Sequence, residues 1–181
     1  MERTNKCLRQ RQPASGPPPG FRSAAAGFSL VEIMVVVTII SLLASAAVPS
    51  VKRYQLASTA AVIAADLRTF ETAFATYAQE KGGWPAETAA GAMPPEMADR
   101  LGSSGWLRPT PIGGQYNWEN GQKHGGVRYQ AALSISATVA APLLVNAEML
   151  LAIDKLLDDG NLSTGSFRTG VNNDPLYIIL Q

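Results

Sequence analysis

The most prominent hydrophobic pattern in the chain is an apolar run over residues 28–49. Its polar positions before Pro49 are Ser29, Glu32, Thr38, Ser41 and Ser45. A helix of this length spans roughly the 30 Å hydrocarbon thickness of a bilayer, so residues 28–49 are predicted to form a transmembrane helix. Its large apolar side chains contribute about −4 to −7 kcal/mol to insertion. This exceeds the roughly 2.5–3.5 kcal/mol that a carboxylate costs at the bilayer centre.

A second helical pattern follows over residues 50–81 and is amphipathic. Apolar residues recur at alternating spacings of four and three, which places them on one helix face. This stripe consists of Leu56, Ala60, Ile63, Leu67, Phe70, Phe74 and Tyr77. Pro49 predicts a kink between the two helices because it lacks an amide donor and crowds the preceding turn. Gly82 and Gly83 are expected to end the helix.

The remaining residues, 82–181, are predicted to form a globular domain of loops, short strands and helices. The expected helices lie at 95–101 and 143–157, the second capped by Gly160. The expected strands lie at 115–119, 127–139 and 176–180. The order of elements predicts an α+β fold, in which the long N-terminal helix packs on a small antiparallel sheet. The tryptophans are expected to cover this sheet more than to form a recognition surface: Trp84, Trp106 and Trp118.

Charge is distributed unevenly along the chain. Residues 1–27 carry five basic side chains and one acidic side chain, whereas acidic residues outnumber basic ones in the rest. This asymmetry predicts a cytoplasmic N-terminus and an exported globular domain. A body without excess positive charge gives no indication of nucleic-acid binding. The single cysteine, Cys7, excludes an intrachain disulfide.

The residues around the apolar run resemble the processing site and first helix of type IV pilins and type II secretion pseudopilins. Gly27 ends the basic segment, Phe28 follows it, Glu32 is the fifth residue after Gly27, and Pro49 lies further along the helix. The resemblance implies that residues 1–27 are a leader peptide, which a prepilin peptidase removes after Gly27. It also implies N-methylation of Phe28 and a pilin-like exported domain over residues 82–181.

The resemblance also implies a role for Glu32 in assembly. Cleavage leaves a positively charged amine at Phe28, which Glu32 of a neighbouring subunit meets in a filament of parallel helices. Such a pair is stronger in a low-dielectric core than in water. It fixes the axial register because an unpaired carboxylate is penalised there. The small residues of segment 56–65 allow close approach of helices, so this segment is expected to be partly a subunit interface.

The implied function is a structural subunit, and not an enzyme, of a type II secretion pseudopilus or a type IV pilus. The implied location is the bacterial inner membrane, which the chain crosses once, with the globular domain outside the cytoplasm and then in the assembled fibre. The implied partners are the prepilin peptidase, other pilin or pseudopilin subunits, the inner-membrane assembly platform and membrane lipid.

Two other interpretations stay open. Small residues from Ala44 to Ala47 resemble an ordinary signal-peptidase site, which would make the chain an exported periplasmic protein but leaves Glu32 unexplained. Alternatively, the helix anchors a binding module or an enzyme, although neither a nucleotide-binding loop nor a nucleophile elbow is present. The only histidine, His124, lies in a glycine-rich stretch and is interpreted as a solvated loop residue.

An acidic cluster near the C-terminus is a candidate calcium site. Its members are Asp154, Asp158, Asp159 and Asn161, and their oxygens are ligands that calcium prefers. The alternating spacing of an EF-hand loop is missing, so the simpler interpretation is a solvated helix end, with no metal or other cofactor. Apolar docking is then expected to hold the C-terminal segment. The side chains expected to dock are Leu150, Ile153, Leu157, Tyr177 and either Ile178 or Ile179.

Overall fold

The computed structural model describes residues 27–124, 127–170 and 173–181. The predicted leader, residues 1–27, lies outside the described residues except for Gly27. The chain forms two compact units, one that ends at Leu43 and one from Ala44 to Gln181.

The longest element is helix α1, Leu30–Lys81, which contains 52 residues. It includes both the apolar run and the amphipathic pattern, and it continues through Pro49. The kink at Pro49 stays a prediction. α1 ends as predicted before Gly82, whose φ of 73° suits a residue without a Cβ atom. The Gly82 amide donates a hydrogen bond of 2.9 Å to the Ala78 carbonyl.

The second unit contains a four-stranded antiparallel sheet. In spatial order its strands are β1 (Gln115–Asn120), β4 (Ala131–Ser136), β6 (Pro175–Leu180) and β5 (Phe167–Thr169). A separate two-stranded hairpin consists of β2 (Lys123–His124) and β3 (Val127–Arg128). A long helix followed by a small antiparallel sheet confirms the predicted α+β class. His124, expected in a loop, ends strand β2, and its side chain lies outside those described.

The strand predicted over residues 127–139 is wrong in its extent. The structure divides it into β3 and β4, because Tyr129 and Gln130, which lie between them, do not belong to a strand. The Tyr129 amide donates to the Gln122 carbonyl at 3.1 Å, and the Gln130 amide donates to the Leu180 carbonyl at 2.8 Å. The Gln130 carbonyl also accepts a hydrogen bond of 3.0 Å from the Gly121 amide. Hydrogen bonding to the opposite segment therefore continues between β3 and β4, although the regular strand is interrupted there.

The helix predicted from residue 143 starts later than expected. Helix α3 spans Ala147–Leu157 because Asn146 caps it. The Asn146 Oδ1 atom accepts a hydrogen bond of 2.9 Å from the Met149 amide, which satisfies one of the free donors of the first turn. Leu144, which was expected on the apolar face of this helix, precedes it and is exposed.

The end of α3 also differs from the prediction. Asp158, and not Gly160, occupies the C-cap position, and its amide donates to the Asp154 carbonyl at 2.6 Å. Gly160 lies in the turn that follows, at a φ of 81°. The chain therefore leaves the helix at an aspartate, and the glycine shapes the next turn.

Three other predicted elements are confirmed. The short helix at residues 95–101 is a 3₁₀ turn, Pro95–Met97, followed by helix α2, Ala98–Leu101. The strands predicted at 115–119 and 176–180 correspond to β1 and β6. These elements carry buried apolar residues that fix them against the rest of the unit.

The core of the second unit contains α1 side chains and aromatic side chains of the globular domain. The buried members of the predicted stripe are Ala60, Ile63, Leu67, Phe70 and Phe74. Phe74 and Trp118 stack with ring centroids 4.0 Å apart, and Phe70 meets Trp106 edge-on at 5.0 Å. Trp106 and Trp118 are fully buried, and Trp84 packs against the same core. The tryptophans therefore cover the sheet, as predicted.

The C-terminal segment docks through apolar contacts, as predicted. The docking side chains belong to one core cluster or pack against it: Leu150, Ile153, Leu157, Tyr177 and Ile179. Ile178 belongs to a smaller cluster, because successive residues of a strand point to opposite faces of a sheet. Of the two isoleucines considered, Ile179 is thus the one that packs against the main core cluster.

Candidate functional site

The predicted processing residues lie just before α1. Gly27, Phe28 and Ser29 precede the first helical residue, and Phe28 is exposed. The Ser29 carbonyl accepts a hydrogen bond of 3.2 Å from the Ile33 amide, so helical hydrogen bonding begins at Ser29. A Cβ atom added to Gly27 would meet no atom of the described residues within 4 Å. The peptide bond between Gly27 and Phe28 is therefore exposed and lies outside the helix.

Glu32 lies in the first turn of α1 and is exposed. A carboxylate is favourable at this end of a helix, where the macrodipole contributes about 0.3–1 kcal/mol. Within the described residues of the chain, Glu32 has no hydrogen-bond or ion-pair partner. The start of the helix thus accommodates the charge, and no side chain of the described residues neutralises it.

Two hydroxyl groups of the apolar run, those of Thr38 and Ser41, are satisfied inside the helix, in contrast to Glu32. Thr38 Oγ1 donates to the Met34 carbonyl at 2.8 Å, and Ser41 Oγ donates to the Val37 carbonyl at 2.7 Å. A hydroxyl that is bonded to the preceding turn loses much of its penalty for leaving water. These side chains are compatible with lipid without any partner from outside the helix.

The first part of α1 exposes large apolar side chains on all sides. Val35, Val36 and Val37 follow one another, and each is between 46% and 55% exposed. Ile33 and Met34 precede them and are 49% and 61% exposed. These five successive apolar positions exceed the 3.6 residues of one helical turn, so they cover the whole circumference of the helix. α1 is long and apolar enough to cross a membrane, as judged by length and composition. Because soluble monomers rarely expose contiguous apolar surface of this extent, the segment fits membrane anchoring.

Three carboxylates meet at the C-terminal end of α3. Asp154, Asp158 and Asp159 each offer one oxygen, and these oxygens lie within 4.8 Å of one another. Asp154 has an exposure of 0%, and among the described residues neither of its carboxylate oxygens has a hydrogen-bond partner. Burial raises the pKa of Asp154, and the charges of Asp159 and Asp158 raise it further, whereas the Gly160 amide opposes the increase. That amide does not reach hydrogen-bond geometry, so the Asp154 carboxylate is buried without a hydrogen-bond partner among the described residues.

Asp158 connects the end of α3 to strand β5. Its Oδ2 atom accepts hydrogen bonds from the amides of Ser166 and Phe167, the second at 3.3 Å. A Cβ atom added to Gly165 would overlap the Asp158 carboxylate. The absence of a side chain at Gly165, whose φ is 76°, therefore lets the loop close over Asp158.

Asp159 is held within the turn that follows α3. It accepts hydrogen bonds from the Thr164 hydroxyl at 2.7 Å and from the Asn161 amide at 2.8 Å. These two bonds lower the pKa of Asp159, so it stays ionised. Asn161, the fourth predicted ligand, uses its Oδ1 atom to accept the Ser163 amide at 3.1 Å. The structure therefore brings three carboxylates together, with Asn161 supporting the adjacent turn.

A second buried carboxylate, which the sequence analysis did not single out, belongs to Glu119 on β1. Glu119 is buried and accepts hydrogen bonds from the hydroxyl groups of Tyr129 and Ser134. Burial, followed by the hydrogen bond to Glu119, raises the pKa of Tyr129. Glu119 is therefore satisfied inside its own domain, which distinguishes it from Asp154.

Comparison with known protein families confirms the N-terminal motif. A family model described as the prokaryotic N-terminal methylation motif matches residues 22–48. This motif is the signature of type IV pilins and pseudopilins, and the chain carries it. The matched range includes Gly27, Phe28 and Glu32. No curated protein and no solved structure matches the chain significantly.

The motif implies processing by a prepilin peptidase and assembly with other pilin subunits. It indicates a pilin-like or pseudopilin-type protein with a structural role. The globular domain, residues 82–181, lies outside the matched range.

Proposed function

We propose that this protein is a structural prepilin-like subunit of a type II secretion pseudopilus or a type IV pilus. The observation that carries the proposal is the arrangement at the start of α1. An exposed Gly27–Phe28 bond precedes a helix whose first part is apolar on all sides and holds one carboxylate, Glu32, which has no partner among the described residues. An ordinary membrane anchor needs no carboxylate at this position, whereas a subunit that pairs with a second chain does.

Processing is the first step of the proposed function. A prepilin peptidase removes residues 1–27 by cutting after Gly27, and the new amine of Phe28 is methylated. The exposure of Phe28 and the lack of contacts at Gly27 support access to this bond. The mature chain then consists of a transmembrane segment at 28–49, an amphipathic segment at 50–81 and an extracytoplasmic domain at 82–181.

Assembly depends on the pairing of Glu32 with the Phe28 amine of a neighbouring subunit. In the membrane, lipid covers the apolar circumference of α1, and in a fibre the helices of other subunits replace the lipid. Both environments have a low dielectric constant, which strengthens an ion pair and penalises an unpaired charge. The carboxylate is therefore neutralised only at the axial offset that places it beside an amine, and this offset sets the register of the fibre.

Segment 56–65 of α1 supports a second contact between subunits. Ala60, Ile63 and Ala64 are buried within their own unit, whereas Ala57 and Ala61 remain exposed. Small exposed residues four positions apart allow another helix to approach closely. The buried face of this segment thus stabilises the fold of the subunit, and its exposed face packs against another subunit in the fibre.

The proposed location is the bacterial inner membrane, with the N-terminus in the cytoplasm. The basic residues before Gly27 support this orientation. Besides membrane lipid and other pilin or pseudopilin subunits, the proposed partners are the prepilin peptidase and the inner-membrane assembly platform. The alternative signal-peptidase site at Ala44–Ala47 lies inside α1, so cleavage there would divide the helix.

Mass spectrometry of the membrane-extracted protein, co-produced with a prepilin peptidase, tests the proposal. We expect a mature chain that starts at Phe28 and carries one N-terminal methyl group. Because Gly27 is exposed and a Cβ atom added there meets no described atom within 4 Å, Gly27→Leu should leave the described fold intact and block processing. A mature chain that starts at Ala47 or Val48 would overturn the proposal in favour of an ordinary signal peptide.

A further inference from the structure

We propose that Lys52, Arg53 and Tyr54 form a basic collar on α1 that binds the phosphate groups of anionic phospholipid at the exported face of the membrane. The three residues follow one another in the second unit, just after the predicted end of the transmembrane segment at Pro49. This inference rests on the proposed function, because it requires residues 28–49 to cross the inner membrane. The collar acts on the subunit in the membrane, before the subunit enters a fibre.

The distance of the collar from the transmembrane segment matches the headgroup layer of a bilayer. α1 continues through Pro49, so at 1.5 Å per residue Lys52 and Arg53 lie roughly 4.5–6 Å beyond it along the helix axis. The headgroup region adds about 5–7 Å to each side of the hydrocarbon core. The two cations therefore lie at the level of the lipid phosphates when residues 28–49 cross the core.

The two cations have no counter-charge within the described part of the chain. They are the only charged side chains between Glu32 and Asp66, so the nearest carboxylates along α1 are about 30 Å and 20 Å away. Both side chains are exposed, and neither has a hydrogen-bond or ion-pair partner among the described residues. The Lys52 ammonium and the Arg53 guanidinium are therefore available for phosphate, an anion that both groups bind well.

Lys52 and Arg53 lie on the side of the membrane where basic residues are disfavoured. The basic residues before Gly27 outnumber them and set the orientation of the helix. Side chains that needed only contact with water could be uncharged here, as Gln55 and Ser58 are. Binding of phosphate explains why both positions carry a charge, because each lysine or arginine near an anionic surface strengthens the attraction about fivefold.

Tyr54 adds an aromatic ring to the collar. Its side chain is 75% exposed, and tyrosine is enriched at membrane interfaces because its ring is apolar and its hydroxyl is polar. Successive residues of a helix are about 100° apart, so the three side chains of the collar project over a sector of roughly 200° at one level of α1. Phosphate groups can therefore approach the collar from more than one side.

The level of the collar favours lipid over the acidic side chains of another subunit. In the register that pairs Glu32 with a neighbouring Phe28 amine, two chains are offset by about four residues, or roughly 6 Å. At this offset Lys52 and Arg53 lie at the level of residues 48–57 of the neighbour, a segment without a carboxylate. Lipid phosphate, in contrast, is concentrated at this level of the membrane.

A fluorescent label beside the collar tests the proposal in the full chain, reconstituted into vesicles. Cys7→Ser removes the only cysteine, and Gln55→Cys then supplies one exposed attachment site next to the collar. The quenchers are phosphatidylglycerol and phosphatidylcholine that carry a nitroxide on the acyl chain close to the headgroup. Their relative quenching at equal mole fraction measures the preference for anionic lipid at this position, separately from the basic residues before Gly27.

We expect the labelled chain to prefer phosphatidylglycerol by up to about 25-fold, or about fivefold for each basic residue. The double variant Lys52→Gln and Arg53→Gln should lose this preference. Because both side chains are exposed, its thermal unfolding should match that of the unaltered chain. An increase in salt from about 0.1 M to about 1 M should weaken the preference, because the screening length falls from about 10 Å to about 3 Å.

Two control variants separate binding of phosphate from other effects of charge. Lys52→Arg should retain the preference, because either cation binds phosphate. The double variant Lys81→Gln and Lys123→Gln removes the same amount of charge from exposed positions of the chain. It should also retain the preference, because Lys81 lies about 40 Å from the collar along α1.

Three results would overturn the proposal. The first is equal quenching by the two lipids in the labelled chain. The second is a preference that persists in Lys52→Gln and Arg53→Gln; if this variant also loses fibres, the two cations bind another subunit and not lipid. The third is an equal loss of preference in Lys81→Gln and Lys123→Gln. Cleavage after Gly27 is measured separately by mass spectrometry, so a failure of the collar is distinguishable from a failure of the proposed function.

Discussion

The hydroxyl of Tyr177, on the C-terminal strand β6, donates a hydrogen bond of 2.8 Å to Oε2 of Glu71 in α1. Burial is the main cause that raises the pKa of Tyr177 to about 12, and the hydrogen bond to Glu71 adds to it. The two residues are 106 positions apart in the chain. Their bond joins the last strand to the first helix, in a protein whose single cysteine excludes an intrachain disulfide.

Tyr177→Phe should lower the free energy of unfolding of the second unit by about 1.5 kcal/mol, the lower range for a hydrogen bond to a charged group. The ring stays in the core, so no cavity forms, and only the bond to Glu71 is lost. Urea unfolding followed by tryptophan fluorescence measures the change, because Trp106 and Trp118 are buried in the same unit. Tyr54→Phe, at an exposed position, is the control and should have little effect. Equal losses in the two variants would contradict the role of the Tyr177 bond.

The same tyrosine predicts how stability depends on alkaline pH. The usual tyrosine pKa is 10.0, and the pKa of folded Tyr177 is about 12. Between these values the unfolded chain has lost a proton that the folded chain retains, so stability falls as pH rises. Burial also raises the pKa of Tyr116 and Tyr129, and both act in the same direction.

Urea unfolding at pH 9 and pH 11 tests this dependence. Each buried tyrosine contributes a decrease of up to about 1.4 kcal/mol per pH unit within its window. Tyr177→Phe should make the decrease shallower, whereas Tyr54→Phe should leave it unchanged. A stability that rises or stays constant over this range would show that the tyrosines titrate alike in both states.

The amphipathic half of α1 could be predicted because its apolar residues recur with the period of a helix. They form one apolar face, which is stable only when other parts of the protein cover it. Phe70 and Phe74 lie on that face and are fully buried. The predicted start of α3 was too early because the apolar residues at 143–145 extend the helical hydrophobic pattern towards the N-terminus. The helix itself begins only after its N-cap residue, Asn146. β5 was missed because it is only three residues long and forms through pairing with β6. Short pairings of this kind depend on tertiary contacts and not on local preference.

The position of Asp154 in the sequence indicates that it is buried, although its charge suggests the opposite. Asp154 follows Leu150 by four positions, which places both residues on the same face of α3. Leu150 and Ile153 are buried, and Asp154 is buried with them. The sequence pattern instead favours a solvated helix end for this cluster, because the alternating spacing of an EF-hand loop is missing. The helical period predicted the environment of this residue better than its charge did.

Glu32→Ala should separate insertion from assembly. Removal of the carboxylate should leave membrane insertion intact or improve it, because a charge costs up to about 2.5–3.5 kcal/mol in a bilayer, and less near a helix end. Fibre formation should nevertheless fall, because the Phe28 amine of each neighbouring subunit loses its counter-charge and the register is no longer fixed. The fraction in the membrane, the fraction processed and the yield of sheared fibres, measured in a host with the assembly machinery, give the three readouts.

Thr38→Val is the matched control for this experiment. Thr38 lies on the same helix and also carries a polar side chain, but its hydroxyl bonds the Met34 carbonyl of its own chain. Its replacement should leave insertion, processing and fibre yield unchanged. If Glu32→Ala is inserted and processed normally and forms fibres of normal yield and length, Glu32 does not set the register. Such a result would not contradict the proposed cleavage before Phe28, because cleavage is measured separately. A loss of fibres in Thr38→Val as well would indicate a general sensitivity of α1 to substitution and not a specific pairing of Glu32.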